Sequence, residues 1–196
     1  MSVLRPDLAV IAEHVPAGAR VLDIGCGDGT LMAALRDGRG VDARGMEISP
    51  EKVQLCVAKG LSAIQGDANR DLEYYPDGAF DVAILSQTLQ TAERPDRMLD
   101  ELLRVGRRAF VSFPNFAYWR MRFSLLINGR MPITRHLPVS WYETENIHQL
   151  TIADFQDLLD RKGARIERSW FFTHDREIGP ANANWRAEYA VYQLSR

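Results

Sequence analysis

Three closely spaced glycines carry the clearest chemical signal in the sequence. Gly25, Gly27 and Gly29 let the backbone turn sharply and approach a bound ligand closely, because glycine has no Cβ atom. Glu47 follows 18 residues after Gly29, at the end of a predicted strand. A carboxylate in this place can accept hydrogen bonds from both hydroxyls of a ribose. The spacing therefore indicates a site for a ligand that contains a ribose.

The charges around this turn separate two classes of ribose-bearing ligand. A nicotinamide dinucleotide requires the spacing G-x-G-x-x-G, but Thr30 stands where the third glycine of that pattern belongs. Asp23 and Asp28 place negative charge on both sides of the turn, which disfavours a pyrophosphate and suits a cation. S-adenosylmethionine carries a ribose, an ammonium and a sulfonium but no phosphate, so it matches the pattern better.

Strand-like and helix-like segments alternate along the chain around the glycine turn. Strands are predicted over residues 20–24, 44–48, 63–67, 80–86, 109–113, 165–172 and 187–194. Helices are predicted over residues 31–35, from residue 50 to a stop at Gly60, and over residues 95–105, 116–127 and 151–162. This alternation predicts an α/β fold, a parallel sheet with helices on both faces. Ligands of such sheets bind at the carboxyl ends of the strands, so the turn after the first strand is the expected place.

Four segments in order resemble the motifs of the class I S-adenosylmethionine-dependent methyltransferases. Residues 21–29 are similar to their first motif, and residues 80–86 to their fourth strand. The resemblance implies a Rossmann-like fold with a seven-stranded, mostly parallel sheet, and S-adenosylmethionine or S-adenosylhomocysteine as cofactor. In that family the positions of Glu47, Ile48 and Asp67 contact the ribose, the adenine ring and the adenine amino group. The implied cofactor-binding residues are Asp23, Gly25, Cys26, Gly27, Gly29, Glu47, Ile48, Asp67, Ala68 and Ser86.

Further phrases through the chain resemble the MetW family of methionine biosynthesis proteins. They lie at residues 4–8, 86–90, 103–106, 111–116, 129–132, 141–142 and 146–148. Glu145 departs from the family, in which a proline is expected before Asn-Ile-His. The resemblance implies a role beside homoserine O-acyltransferase, either as its accessory partner or as a sensor of the pathway product. A methyltransferase that acts on an unidentified small molecule is the alternative, and fold alone does not decide between them.

No clear catalytic constellation accompanies the cofactor motifs. Gln87 follows the predicted strand at residues 80–86 and could orient a methyl acceptor, or it could only line the cofactor site. His148 could lie near the active site, or it could support a loop or helix end. The Asn/Asp-Pro-Pro-Tyr/Phe signature of many amino-group methyltransferases is absent, which argues against exocyclic amines as acceptors. Methyl transfer can rely on holding the acceptor in line and excluding water, so it requires no further signature.

A long insertion separates the fifth predicted strand from the next helix. Residues 114–150 stand where about 2–6 residues are usual. The insertion admits three interpretations: a lid over the pocket, a docking surface for a partner protein, or a stacking surface for single-stranded nucleic acid. Its aromatic residues are Phe116, Tyr118, Trp119, Phe123, Trp141 and Tyr142, and its arginines include Arg120, Arg122, Arg130 and Arg135.

The composition bounds the remaining possibilities. Hydrophobic residues make up 46% of the 196 residues and charged residues 26%, values that are typical of a globular domain and exclude a disordered chain. We expect a single domain over residues 1–196. The net charge of −2 gives no general attraction to nucleic acid. Two cysteines are too few for a disulfide framework, so a cytoplasmic protein without a structural metal is expected.

Overall fold

One mixed sheet of eight strands organises the part of the chain that the computed structural model describes, residues 4–134 and 137–196. The strands are β1 (Arg20–Ile24), β2 (Asp42–Glu47), β3 (Ser62–Gln65), β4 (Phe80–Ser86), β5 (Gly106–Pro114), β6 (Arg165–Thr173), β7 (Arg176–Ile178) and β8 (Tyr189–Ser195). The helices are α1 (Pro6–His14), α2 (Thr30–Arg39), α3 (Pro50–Ala58), α4 (Ala68–Asp71), α5 (Pro95–Val105), α6 (Trp119–Asn128), α7 (Ile152–Lys162) and α8 (Ala183–Arg186). No helix in these ranges is long and apolar enough to cross a membrane.

The strand order is β3-β2-β1-β4-β5-β8-β6-β7. The first five strands in this order run parallel, whereas β8, β6 and β7 are joined through antiparallel pairings. The chain proceeds from β1 to β2 and β3 and then returns to β4 on the other side of β1. The order therefore reverses between β1 and β4, and a crevice forms at their carboxyl ends, where such sheets bind ligands. This topology confirms the predicted α/β class with a mostly parallel sheet.

The sheet has one strand more than the seven that were expected. The extra strand, Arg176–Ile178, pairs antiparallel with β6 through a two-residue hairpin turn. His174 and Asp175 form this turn with φ values of +47° and +59°. Two consecutive positive φ values are typical of the turns that join hairpin strands, but such turns usually carry Asn-Gly or Asp-Gly. The sequence His-Asp lacks a glycine, and the hairpin was therefore missed.

Local capping signals place several helix ends where the sequence predicts them. The Thr151 hydroxyl accepts a hydrogen bond from the backbone N–H of Asp154 at 3.1 Å, and α7 ends at Gly163 in the left-handed conformation. The Ser49 hydroxyl caps α3 in the same way, accepting from the N–H of Lys52 at 3.2 Å. These side chains satisfy backbone donors that the first helical turn leaves unpaired.

Hydrophobic residues cover both faces of the central strands. Leu22 and Leu85 pack with α5 and α7 on one face, and Val21 and Ile84 pack with α1 and α2 on the other. The alternation follows from the two-residue period of a strand. Residues 80–86 are thus buried on both sides, as their continuous apolar run predicts.

Helix α1 was not predicted, although it has local signals. Pro6 occupies its first position and Asp7 its first turn, both of which favour a helix start. Ile11 and Val15 are fully buried in the cluster that α1 shares with α2. The helix holds the N-terminal segment across one edge of the crevice, and this placement matters for the site.

Helix α3 buries little of its apolar surface. Of its apolar residues Val53, Leu55, Cys56 and Val57, only Cys56 is buried, and Leu55 and Val57 are exposed. Helix α3 packs near β2 and β3 at the margin of the sheet, where a small cluster receives a single side chain from it. No further layer in the described structure covers its outer side.

The predicted helix at residues 116–127 begins three residues later because a turn precedes it. The buried side chain of Asn115 holds this turn: its Oδ1 accepts from the N–H groups of Ala117 at 3.1 Å and Ile152 at 3.3 Å. Its Nδ2 donates to the carbonyls of Ala187 at 2.8 Å and Asn184 at 3.1 Å. Asn115 thereby joins the end of β5 to the starts of α7 and β8.

Replacing Asn115 with alanine is expected to lower the free energy of unfolding by about 2–6 kcal/mol, because four hydrogen bonds worth about 0.5–1.5 kcal/mol each are lost. Chemical denaturation measures the change. Asn184→Ala is the matched control, since the Asn184 side chain makes one long hydrogen bond, 3.4 Å from the N–H of Ala153. Equal effects of the two substitutions would contradict the role given to Asn115.

Candidate functional site

A cavity of about 710 Å³ lies at the carboxyl ends of β1, β2 and β4. It occupies the reversal point of the strand order, where the sequence places the ligand. Gly29 does not line it: this residue precedes α2 in the left-handed conformation and packs against Cys56 and Leu61. The other nine predicted cofactor-binding residues all line the wall: Asp23, Gly25, Cys26, Gly27, Glu47, Ile48, Asp67, Ala68 and Ser86.

The glycine turn is pressed against two neighbouring strands. The N–H groups of Gly25 and Cys26 donate to the Met46 carbonyl at 2.8 and 3.2 Å, which ties the turn to β2. Gly25 has φ of +71°, and a Cβ atom there would lie 2.5 Å from Oγ1 of Thr88. Gly27 also has positive φ, but a Cβ there would meet no described atom within 4 Å and would point into open space. Gly25 is therefore required for packing, and Gly27 leaves room for a ligand.

The Glu47 carboxylate is held in one orientation at the end of β2. Its Oε2 accepts from the N–H of Gly27 at 2.9 Å, and its Oε1 accepts from the N–H of Ser49 at 3.1 Å. The side chain is buried, so its position is fixed before any ligand arrives. Each carboxylate oxygen retains acceptor capacity beyond these bonds. The group can accept two further hydroxyl donors, which is the geometry a ribose requires.

Asp23 is a buried carboxyl at the end of β1. Burial, and then the nearby charge of Glu47, raises its pKa from 3.8 to about 7. A cation placed between the two carboxyls would stabilise their ionised forms. Ionised Asp23 therefore offers the negative charge at the turn that the sequence pattern suggests.

The sequence suggested that Asp28 presents a negative charge to the turn, but the structure pairs this carboxylate with a lysine. Its Oδ2 pairs with Nζ of Lys59 at 2.8 Å, and its Oδ1 accepts from the hydroxyl of Thr30 at 2.7 Å. These bonds lower the pKa of Asp28 to about 2. Its charge is compensated by the lysine, so Asp23 and Glu47 set the negative potential at this end of the cavity.

Cys26 lines the cavity next to a second thiol. Its Sγ lies 4.0 Å from Sγ of Cys56, and the Cys56 thiol donates to the Gly27 carbonyl at 3.3 Å. Burial raises the pKa of the Cys26 thiol above its usual range. The thiolate is disfavoured, and a nucleophilic role for Cys26 has no support in the geometry.

Asp67 lines the cavity beyond the end of β3, which lies two strands away from β1. Its Oδ1 accepts from the N–H of Asn69 at 3.0 Å and caps α4, while its own N–H donates to Asp71 at 2.7 Å. Ile48 is exposed at the rim of the cavity on the same side. Glu47, Ile48 and Asp67, which the resemblance assigns to the ribose and the base, thus all line the β2–β3 end of the cavity.

The two catalytic candidates have different positions. Gln87 lines the cavity with a strained backbone, φ of +54°, and its carbonyl accepts from the Gln90 side chain at 2.8 Å. His148 does not line the cavity; its N–H donates to the Gln90 carbonyl at 3.0 Å. Its Nε2 is buried and has no hydrogen-bond partner among the described residues. Gln87 therefore lines the cavity, whereas His148 does not line it and contacts Gln90.

The N-terminal segment contributes cavity residues that sequence reasoning missed. Leu4, Arg5 and Leu8 line the cavity beside β4. Asp7 is buried, and its Oδ2 lies 3.4 Å from the hydroxyls of both Ser86 and Ser112. The phrase at residues 4–8 contributed to the family resemblance but was not interpreted as a helix that reaches the site.

The insertion lies mostly away from this cavity. Among its described residues, Glu145 is the one that lines the cavity wall. Part of it, including Asn115 and Tyr118, instead lines a second cavity of about 410 Å³, together with His174 and Glu188. Arg135, one of the predicted insertion arginines, lies outside the described residues. Because the described part of the insertion lies mostly away from the large cavity, its position favours a docking surface over a lid.

Comparison with known proteins decides the family. A family model described as "Methionine biosynthesis protein MetW" matches residues 5–194. The chain belongs to the MetW family. Curated relatives agree with this assignment: "Bifunctional methionine biosynthesis protein MetXA/MetW" of Rhodopirellula baltica is 37% identical over 205 residues. That alignment covers 98% of this chain and 33% of the relative.

A second curated relative comes from a methyltransferase family. "Ubiquinone biosynthesis O-methyltransferase" of Xylella fastidiosa is 36% identical over 141 residues, which cover 67% of this chain and 56% of the relative. This chain therefore spans about a third of the first relative's length and little more than half of the second's.

Solved structures share the fold. A SAM-dependent methyltransferase from Archaeoglobus fulgidus aligns with a TM-score of 0.72 at 16% identity, covering 96% of this chain and 91% of that one. A second, from Mesorhizobium loti, gives 0.72 at 18% identity, covering 97% and 98%. The MetW chain thus has the Rossmann-like fold of S-adenosylmethionine-dependent methyltransferases.

Proposed function

We propose that this MetW family member binds S-adenosylmethionine or S-adenosylhomocysteine and acts as an accessory or regulatory partner of homoserine O-acyltransferase. The partner is inferred from the curated relative whose name joins MetXA and MetW in one protein. We infer that the MetXA part of this relative is the homoserine O-acyltransferase with which the family resemblance associates MetW. Fusion places the two activities in one chain, and separate chains that work together achieve the same proximity by docking.

The residues of the large cavity fit the cofactor. Glu47 has acceptor capacity for two ribose hydroxyls, and Asp23 offers negative charge for an ammonium. Gly27 leaves open space beside the turn. The cofactor, when bound, supplies an activated methyl group or, in a regulatory role, reports the level of the pathway product. The protein's part is to hold it and to couple its presence to the partner.

The raised pKa of Asp23 predicts how cofactor affinity depends on pH. An ammonium favours ionised Asp23, so S-adenosylmethionine should bind more tightly as pH rises to about 7 and then level off. Below pH 7 the affinity for S-adenosylmethionine should fall by up to about tenfold per pH unit. Calorimetric titration between pH 5.5 and 8 measures this profile, and Asp23→Asn should bind more weakly and flatten it.

The titration of Asp23 also affects the free energy of unfolding, which should change with pH in the opposite direction to the cofactor affinity. Folded Asp23 holds its proton up to about pH 7, whereas the unfolded carboxyl releases it near pH 4. The contribution of this group to the free energy of unfolding should therefore fall as pH rises from about 4 to 7.

A wild-type affinity profile as flat as that of Asp23→Asn would contradict the assignment of Asp23 to the ammonium.

The exposed apolar residues of the insertion support docking. Leu126 and Ile127 at the end of α6 are exposed, as are Trp141 and Tyr142. Aromatic residues are enriched at the energetic centres of protein interfaces. A charge placed among such residues opposes burial in an interface.

Co-purification tests the docking directly. The acyltransferase of the same organism should bind this chain at micromolar concentration, and Leu126→Glu should weaken the complex at least tenfold. Leu55→Glu is the control, because Leu55 is also an exposed leucine on a helix but lies on α3, outside the insertion. Absence of any complex, or equal effects of both substitutions, would contradict docking through the insertion.

A methyltransferase that acts on a small molecule is the second candidate. The strained backbone of Gln87 favours it, because such conformations persist where the surroundings enforce them and concentrate at functional sites. The Gln87 amide would orient the acceptor for in-line displacement. Release of S-adenosylhomocysteine with a candidate acceptor, reduced by Gln87→Ala without loss of cofactor binding, would support this function. Failure to bind the cofactor would exclude it.

A further inference from the structure

The large cavity has two basic side chains among its described lining residues, and they lie at different ends. Lys52 stands in the first turn of α3, which follows β2, and so belongs to the end with Glu47. Arg5 precedes α1 and lies at the other end, beside β4. Asp23, on β1, lies between these two ends, because β1 stands between β2 and β4 in the sheet.

The strand order orients a ligand that contains adenosine. If Glu47 holds the ribose and Asp67 lies by the base, the adenosine occupies the β2–β3 end. The rest of the molecule must pass the turn after β1 and reach the end of β4. Ser86, Gln87 and Arg5 lie there. In S-adenosylmethionine and S-adenosylhomocysteine, this remaining part is an amino acid with a free carboxylate.

Arg5 is fixed by a buried carboxylate rather than by solvent-exposed partners. Its Nη2 donates to Oδ2 of Asp7 at 3.1 Å. The same oxygen lies 3.4 Å from the hydroxyls of Ser86 and Ser112, which are 3.0 Å apart. Asp7 thereby ties the start of α1 to the carboxyl ends of β4 and β5. One guanidinium donor is engaged in this pair, and a guanidinium has five.

The chain contains a second copy of the same arrangement, which shows what is particular to Arg5. Arg94, Pro95 and Asp96 repeat the tripeptide at the start of α5, again with the arginine paired to the aspartate two residues on. The two arginines are equally exposed, at 61% and 59% of their side chains. Asp7 is 4% exposed and Asp96 is 34%, and Arg94 does not line the cavity. The tripeptide starts a helix in both places, but only the first copy reaches the site.

We propose that Arg5 binds the carboxylate at the amino-acid end of the ligand and that Asp7 positions it. The inference rests on the proposed cofactor binding and adds the residue that distinguishes ligands with an amino-acid end from those without one. Planar guanidinium donors match a carboxylate, and charge-assisted hydrogen bonds of this kind are strong. Arg5 should increase the affinity for S-adenosylhomocysteine. It should not increase the affinity for 5′-methylthioadenosine, which lacks the amino-acid end.

Calorimetric titration of both ligands tests the assignment on the full chain. Arg5→Ala should weaken S-adenosylhomocysteine about tenfold or more and leave 5′-methylthioadenosine within twofold of wild type. Arg5→Lys should recover part of the loss, since a lysine retains the charge without the planar donors. Arg94→Ala is the matched control and should change neither affinity. Asp7→Asn should lower the affinity for S-adenosylhomocysteine alone, by less than Arg5→Ala.

The outcomes separate this inference from the proposed function. If wild-type protein binds S-adenosylhomocysteine and Arg5→Ala weakens both ligands equally, or neither, the assignment of Arg5 is overturned while cofactor binding stands. If the wild type binds neither ligand, both proposals fall. Thermal unfolding of each variant shows whether it is folded, and an unfolded Arg5→Ala leaves Arg5→Lys to decide the ratio between the two ligands.

Discussion

Glu47→Gln should weaken binding of S-adenosylhomocysteine by about 100-fold. The ionised carboxylate accepts from two backbone N–H groups and has capacity for both ribose hydroxyls. An amide has one acceptor oxygen, and its NH₂ group would face a backbone N–H. Hydrogen bonds to a charged group contribute about 1.5–3 kcal/mol each, and about 1.4 kcal/mol corresponds to tenfold in affinity. Calorimetric titration measures the loss.

Glu51→Gln is the control for this prediction. Glu51 is an exposed carboxylate in the first turn of α3, where it accepts from the Ser49 hydroxyl at 2.7 Å, and it does not line the cavity. Its replacement should leave affinity within twofold of wild type. An affinity of Glu47→Gln within fivefold of wild type would remove Glu47 from the binding site.

Gly25→Ala should destabilise the protein by about 2–5 kcal/mol and abolish ligand binding. The positive φ is strained for alanine, at about 1–2 kcal/mol, and the added Cβ would lie 2.5 Å from Oγ1 of Thr88. Relief of such overpacking by displacement costs about 1–3 kcal/mol more. Urea denaturation and calorimetry measure the two effects.

Two further variants separate the clash from the backbone strain. Thr88→Ala removes the atom that Cβ would meet, so the double variant should regain about 1–3 kcal/mol relative to the sum of the single effects. Gly78→Ala tests strain alone, because Gly78 has φ of +61° and no described atom within 4 Å of a built Cβ. If Gly25→Ala were no more destabilising than Gly78→Ala, the close packing against Thr88 would have no energetic consequence.

The strongest local patterns allowed the central part of the fold to be predicted from sequence. The bounds of β1, β4 and α5 match the predicted ranges residue for residue. These elements carry continuous apolar runs or clear helical periodicity, and both signals are contained within the segment itself. The gathering of the candidate cofactor-binding residues at one edge of the sheet could be predicted for the same reason, since this placement follows from parallel pairing.

The parts that were missed depend on contacts between distant residues. Asp7 meets Ser86 and Ser112, which lie 79 and 105 residues further along the chain. Lys59 neutralises Asp28 across 31 residues. No local pattern reports such pairings. The sequence therefore indicated two acids at the turn and did not show which would be compensated.

The exposure of α3 and of the insertion also lay beyond the sequence. Leu55 and Val57 on α3 have the apolar character of core residues, yet they face outward because the sheet ends there. Leu126 and Ile127 on α6 are exposed for the same lack of a covering layer in the described structure. Apolar residues at helical spacing predict that a face will be covered, but they do not say by which element or protein.

We propose that this MetW family member acts on homoserine acylation and senses S-adenosylmethionine or S-adenosylhomocysteine. The rate of homoserine acylation by the acyltransferase of the same organism tests this role most directly. It should be taken alone, with this chain, and with this chain plus S-adenosylmethionine, using Glu47→Gln as the variant that loses the cofactor. We expect a higher acylation rate with the chain than without it, and a change in that rate on adding S-adenosylmethionine that Glu47→Gln abolishes. An acylation rate that the chain leaves unaltered, with and without the cofactor, would contradict this role.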